Sequence, residues 1–212
     1  MAHILSTDPW PHIISTGLLD RDVIDEIHNL QGPVDYGQKY KVRATNGYSR
    51  YKFQWHMDGN SNPLPIDAGC EPLNEIFPER LLLEIYNQCE WNVQDNWRLL
   101  HPNNKAGFRS IMIEFVREWG GTIGPISRNT PNKIENIVML QAGAGAGLAQ
   151  EFNGFQLWKN DDQYVRDIQW VLGRTVSFTA NQGQTFYRMP TTEVDGQHSH
   201  YVSTKYLNIA LR

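Results

Sequence analysis

Three kinds of hydrophobic pattern follow one another along the chain, and each predicts an element. The segment DPWPHIIST (8–16) reads as a short strand entered through two prolines, with a turn at Gly17. Asp20 is placed as a helix N-cap. Val23, Ile24, Ile27 and Leu30 then recur at the spacing of one helical face, which Gly32-Pro33 ends. Residues 36–56 are rich in Tyr, Lys and Arg and partly alternate, which favours extended chain; 60–69 (NSNPLPIDAG) is a loop by composition. Leu73, Ile76, Phe77, Leu81, Leu82, Ile85 and Cys89 predict a helix over 72–89, with Pro78 as its point of breakage.

Beyond residue 95 the period becomes two. FRSIMIEFV (108–116) sets Ile111, Ile113 and Phe115 on one face, and KIENIVMLQ (133–141) continues in the same manner. NGFQLW (153–158) is a further strand. In RTVSFTA, Val176 and Phe178 alternate with Thr175, Ser177 and Thr179. KYLNIALR divides into Tyr206, Asn208 and Ala210 on one face and Leu207, Ile209 and Leu211 on the other. Helices followed by many short strands predict an α+β protein with a β-sandwich or barrel.

Composition narrows the classes. At 212 residues and 40% hydrophobic content the chain can bury the core of one sizeable domain. Nineteen Lys and Arg against 23 Asp and Glu give a net charge of −4, which argues against broad phosphate neutralisation and makes nucleic acid an unlikely partner. Lys39, Lys41, Arg43, Arg50 and Lys52 interleave with tyrosines, an arrangement that can serve single strands but is read as Tyr packed on basic stems. No apolar run is long enough to span a membrane and no signal peptide is expected, so an intracellular or virion setting is the expectation. Cys70 and Cys89 are read as reduced fillers. Asn and Gln together reach 30, beside seven Trp and nine Tyr, a polar, weakly charged surface suited to a long-lived interface with protein partners, within a larger assembly. The AGAGAG tract (142–147) lacks the glycines of a dinucleotide fingerprint at 148 and 150, and no P-loop exists, so it is read as a connection.

DPWPHIISTGLLDRDVIDEI, REWGGTIGPISRNTPNKIENIVMLQ, NGFQLW, GQTFYRMP and KYLNIALR resemble, in order, segments of Fe(II)/2-oxoglutarate-dependent dioxygenases of the prolyl-hydroxylase type. The resemblance implies a double-stranded β-helix, or jelly-roll, over 95–212, packed on helical and extended support from 1–94, as a single domain. It also implies where the chemistry would sit. The family holds iron with two His and one carboxylate. The His-x-Asp position falls on Ile126-Ser127-Arg128: an aliphatic group with no lone pair, and a fixed cation where an anion is needed. The distal His position falls on Tyr187 or Arg188. Lys205 takes the place of the basic residue that pairs with oxoglutarate. The expectation is a degenerate site without metal or cofactor, in which Lys205 alone is compatible with cosubstrate.

A rival ligand set is present elsewhere. His56-Met57-Asp58 supplies a His-x-Asp, and His198 and His200 lie two residues apart. His56, Asp58 and one late His would make a sensible iron triad, and with it an active Fe(II)/2-oxoglutarate-dependent hydroxylase. Against it, His56 precedes the long helix, and from His198 to Lys205 there is room for barely a turn. The primary expectation is therefore a non-catalytic structural or interaction protein, for which a phage tail or neck is the placement that the resemblance suggests. A third reading keeps a pocket that binds a dicarboxylate through Lys205 and Arg128.

Overall fold

The computed structural model describes residues 2–30, 43–45, 48–100, 109–120, 125, 133–143, 154–179, 185–189 and 203–211. Two strands, β1 (Ala2–Ser6) and β2 (His12–Thr16), lead into helix α1 (Arg21–Leu30). After β3 (Arg43–Thr45), β4 (Tyr48–Asp58) and the short β5 (Glu71–Pro72), a 3-10 turn (Leu73–Glu75) precedes the long helix α2 (Glu79–Leu100). The remaining elements are strands: β6 (Ser110–Gly120), β7 (Ile134–Gly143), β8 (Phe155–Trp158), β9 (Tyr164–Ile168), β10 (Arg174–Thr179), β11 (Phe186–Arg188) and β12 (Ser203–Leu211).

These strands form two sheets. The large one runs β1-β2-β10-β7-β12-β6-β4-β3, with β5 beside β4, and the small one runs β11-β8-β9. The architecture is the jelly-roll expected from the sequence, with α1 and α2 packed on the far side of the large sheet. Strand alternation divides the core into two layers. Leu207, Ile209 and Leu211 of β12 join Ile113 and Phe115 of β6 and Phe53 of β4 in a cluster with Ile24 and Ile27 of α1 and Leu81 and Ile85 of α2. Tyr206 faces the other way, with Val116, Ile137, Met139, Val176 and Phe178, against Phe155, Leu157 and Tyr187 of the small sheet. Gly154 opens β8 at a φ of +71°, and a Cβ there would stand 2.3 Å from the Ile168 carbonyl oxygen on β9. Only glycine fits that close approach.

Pro78 proves to be a start rather than a break. Its carbonyl accepts from the amides of Leu81 and Leu82 at 2.9 and 3.2 Å, and its fixed φ suits the entry to a helix. The helix also runs past the expected limits, through residue 95 to Leu100. Asn96 explains the extension: it is fully buried and donates through Nδ2 to Ser177 Oγ of β10 at 3.1 Å, so the last turns are docked on the sheet. Asp20 occupies the N-cap position of α1, its carbonyl accepting from Ile24 N, while its carboxylate is turned to Gln88 Nε2 of α2. No helix among the described residues is long and apolar enough to cross a membrane.

Candidate functional site

The second layer of the core, between the two sheets, is where the sequence places its chemistry. Tyr187 lies in the middle strand position of β11, opposite Leu157, so its ring points inward while Phe186 and Arg188 point outward. It is 1% exposed. The ring stacks on Phe155 at 5.3 Å between centroids and 14° between planes, and meets Phe178 at 5.0 Å and 57°. Across the sandwich its hydroxyl donates to Oε2 of Glu135 on β7 at 3.3 Å, and Lys133 Nζ stands 3.4 Å from the other oxygen, Oε1. Of the two residues that the sequence left open for the distal ligand position, Tyr187 is thus the inward one.

Tyr187 so placed offers iron a poor ligand: a neutral phenol binds metal weakly, and here its oxygen already donates to a buried carboxylate. The ring is flanked by Phe155 and Phe178, and Trp10 and Met189 belong to the same buried cluster. Ile126 and Arg128, the expected places of the first two ligands, lie outside the described residues, as do His198 and His200 and most of the Tyr, Lys and Arg of 36–47.

Lys205 is not brought to Tyr187. The β6–β12 register runs unbroken and sets Lys205 opposite Arg117 and Tyr206 opposite Val116. Arg117 in turn pairs with Tyr51 of β4, which belongs to the helix-side layer. Lys205 therefore stands on the sheet face turned to the helices, and Tyr206 takes the inward position beside it. A β-bulge between Lys205 and Tyr206 on the β7 side marks the same point. Burial, and then the adjacent Arg117 guanidinium, push the Lys205 ammonium below its usual range.

The rival pair is also engaged. His56 and Asp58 share one face of β4. Yet the His56 ring bonds at both nitrogens, Nδ1 to the Pro65 carbonyl and Nε2 to Ser110 Oγ, each at 3.1 Å. Asp58 accepts at Oδ1 from the amides of Asn60 and Asn62, both at 2.8 Å, and at Oδ2 from Asn62 Nδ2 at 3.0 Å. It organises the turn that follows β4, and the Asn62 bonds hold its carboxyl below the usual range. Among the described residues no three His, Cys, Asp or Glu side chains gather as a metal site.

Sequence reasoning missed a buried polar cluster on the inward face of the large sheet. Glu114 of β6 is 1% exposed and pairs with Lys52 Nζ and Gln54 Nε2 of β4 and with Asn208 Nδ2 of β12, the last at 2.9 Å. Gln54 in turn binds Asp67 of the following loop through both ends of its amide, at 3.1 and 2.7 Å. The available signal was a lone carboxylate in each of two apolar runs, Glu114 in IMIEFV and Glu135 in KIENIVML. A buried acid in a strand requires a cationic or donating partner on the same face.

No family model matches the chain, and no curated protein does. Solved structures match over nearly its whole length. IDO from Bacillus thuringiensis aligns with a TM-score of 0.54 at 9% identity, covering 94% of this chain and 92% of that one. The full-length Neurospora crassa T7H, solved with α-KG and 5-formyluracil, gives 0.53 at 8% identity, covering 94% and 73%. The Fe(II)/α-ketoglutarate-dependent dioxygenase TqaL gives 0.51 at 7%, covering 95% and 82%. At such identities the likeness is one of fold, and on it the chain has the fold of the Fe(II)/2-oxoglutarate dioxygenases.

Proposed function

We propose that the chain is a non-catalytic protein on the dioxygenase fold, serving as a structural or interaction module within a larger assembly. The observation that carries this reading is Tyr187. At the position that resembles the distal metal ligand stands an aromatic side chain that is buried, stacked and hydrogen-bonded to Glu135, within an apolar cluster. A catalytic centre of this kind needs open coordination positions and room for cosubstrate beside them. The polar, Trp-rich composition supports a protein partner, and the placement in a phage tail or neck rests on the resemblance alone.

Metal analysis with an assay for 2-oxoglutarate turnover tests it. The expected result is less than a tenth of an equivalent of Fe(II) or Mn(II), roughly, after dialysis, and no turnover. One equivalent of bound metal, lost on His56→Ala, would instead establish the hydroxylase built on His56, Asp58 and His198 or His200.

A further inference from the structure

Along one side of the sandwich, among the described residues, both sheets end. There β1 ends the large sheet and β9 ends the small one, and among the described residues no strand pairs with the outer edge of either. Between them lies a groove of about 370 Å³. Its apolar surface comes from Ile4, Ile14 and Ile168; Ile4 is 63% exposed, although it stands in register with Ile14 on the face that elsewhere forms the inter-sheet core. Two guanidiniums, Arg166 and Arg174, line it as well. Among the described lining residues the one carboxylate, Asp167, pairs in register with Gln156 on the outer side of the small sheet and is bonded by Gln156 and Tyr164.

We propose that this groove docks an extended, acidic segment of a partner protein. The inference rests on the interaction-module reading and names its surface. Three features select that occupant. Edge strands present a row of unpaired backbone donors and acceptors, which an extended chain can use and a compact ligand cannot. The exposed aliphatic strip gives alternate side chains of such a strand a place to bury. The two guanidiniums favour carboxylates on the same segment, against the general acidity of the chain, whose net charge is −4. Arg166 is held in place for this: its Nη2 reaches Ser6 Oγ of β1 at 3.2 Å and His12 Nε2 of β2 at 3.1 Å, tying the two walls together at one end.

The test is fluorescence anisotropy with two labelled peptides, TEIEIET and TKIKIKT, on the intact chain without added metal. The acidic peptide should bind saturably, and the lysine peptide about tenfold more weakly or worse. The double variant Ile4→Glu, Arg174→Glu, which removes the aliphatic contact and reverses one guanidinium charge, should weaken the acidic peptide by about tenfold. Equal binding of the two peptides, or none from either up to millimolar concentration, overturns the proposal; this comparison uses the unaltered chain and stands whatever the variant does. A homodimer in sedimentation that Ile4→Lys dissolves also overturns it, in favour of a second copy as occupant. Bound Fe(II) would end the non-catalytic reading and leave the peptide result as it stands, whereas failed peptide binding ends only the groove assignment.

Discussion

The Tyr187 hydroxyl meets Oε2 of Glu135 at 3.3 Å, and this contact joins the small sheet to the large one through the middle of the core. Each partner belongs to a different sheet, so the bond reports on how the two halves of the sandwich fit. Tyr187→Phe keeps the stacking on Phe155 and removes only the donor, leaving a buried carboxylate one bond short. The expected cost is about 1–2 kcal/mol in urea unfolding, and about 3–5 kcal/mol for Tyr187→Ala, which also leaves a cavity. Equal losses for the two variants would show that the ring's packing contributes nothing.

A second prediction contrasts two ion pairs. Glu114 is 1% exposed and Lys52 13%, whereas Arg80 and Glu26 of the surface pair are 66% and 28% exposed. Glu114→Ala strands the Lys52 ammonium and the amide donors of Gln54 and Asn208 inside the sheet and should cost about 3–5 kcal/mol. Arg80→Ala should leave the denaturant midpoint close to that of the parent chain, because water screens what is lost. Denaturant midpoints of the two variants against the parent chain measure both.

His12 sets a pH dependence. Its ring is buried and neutral, with Nδ1–H donating to the Trp10 carbonyl at 2.8 Å and Nε2 accepting from Arg166. Burial lowers its pKa most; the Trp10 bond raises it, the Arg166 charge lowers it, and Asp8 raises it, with a net downward result. A folded pKa below the unfolded one means that the unfolded chain binds the proton more readily. The contribution of His12 is therefore complete above about pH 6.5 and is lost as pH falls from there through the folded value. Unfolding free energies measured at pH 8, 6.5 and 5 should decline in that order, and His12→Asn should flatten the lower part of the profile.

The two thiols should separate cleanly. Cys89 is fully buried under α2, and burial pushes its thiol far above the usual range, so it stays protonated and shielded. Cys70 is half-buried at the edge of a loop. A colorimetric thiol reagent at pH 8 should titrate one cysteine in the folded chain within minutes and the second only in denaturant. Rapid labelling of both in the folded state would contradict the docking of α2 on the sheet.

The parts of this structure that were readable in the sequence are those with a period. The two faces of KYLNIALR fell as the alternation indicated, because each face is buried in a different layer. Helix α1 was equally plain, with Val23, Ile24 and Ile27 buried on one side. β9 escaped because only Ile168 of its five residues is fully buried, which leaves no alternation to see. β1 escaped for a related reason: its apolar pair, Ile4 and Leu5, sits at an edge and is exposed at 63% and 50%. The inward position of Tyr187 was legible only through the resemblance, since a single Tyr in TFYRMP has no pattern of its own. The orientation of Lys205 was not legible at all; it depends on a register between β6 and β12 that no local signal encodes. Glu114 and Glu135 were visible as oddities, but their lysine partners come from other strands or from a strand end.

One consequence of the strand order concerns synthesis. β12 lies between β6 and β7, pairing along both of its sides, yet it is translated some sixty residues after β7 ends. Until those late residues leave the ribosome, β6 and β7 stand apart, each with an open edge facing a gap of one strand's width. The nascent chain must shelter two unpaired edges for several seconds at ordinary elongation rates, and it closes only when the last insert slides home.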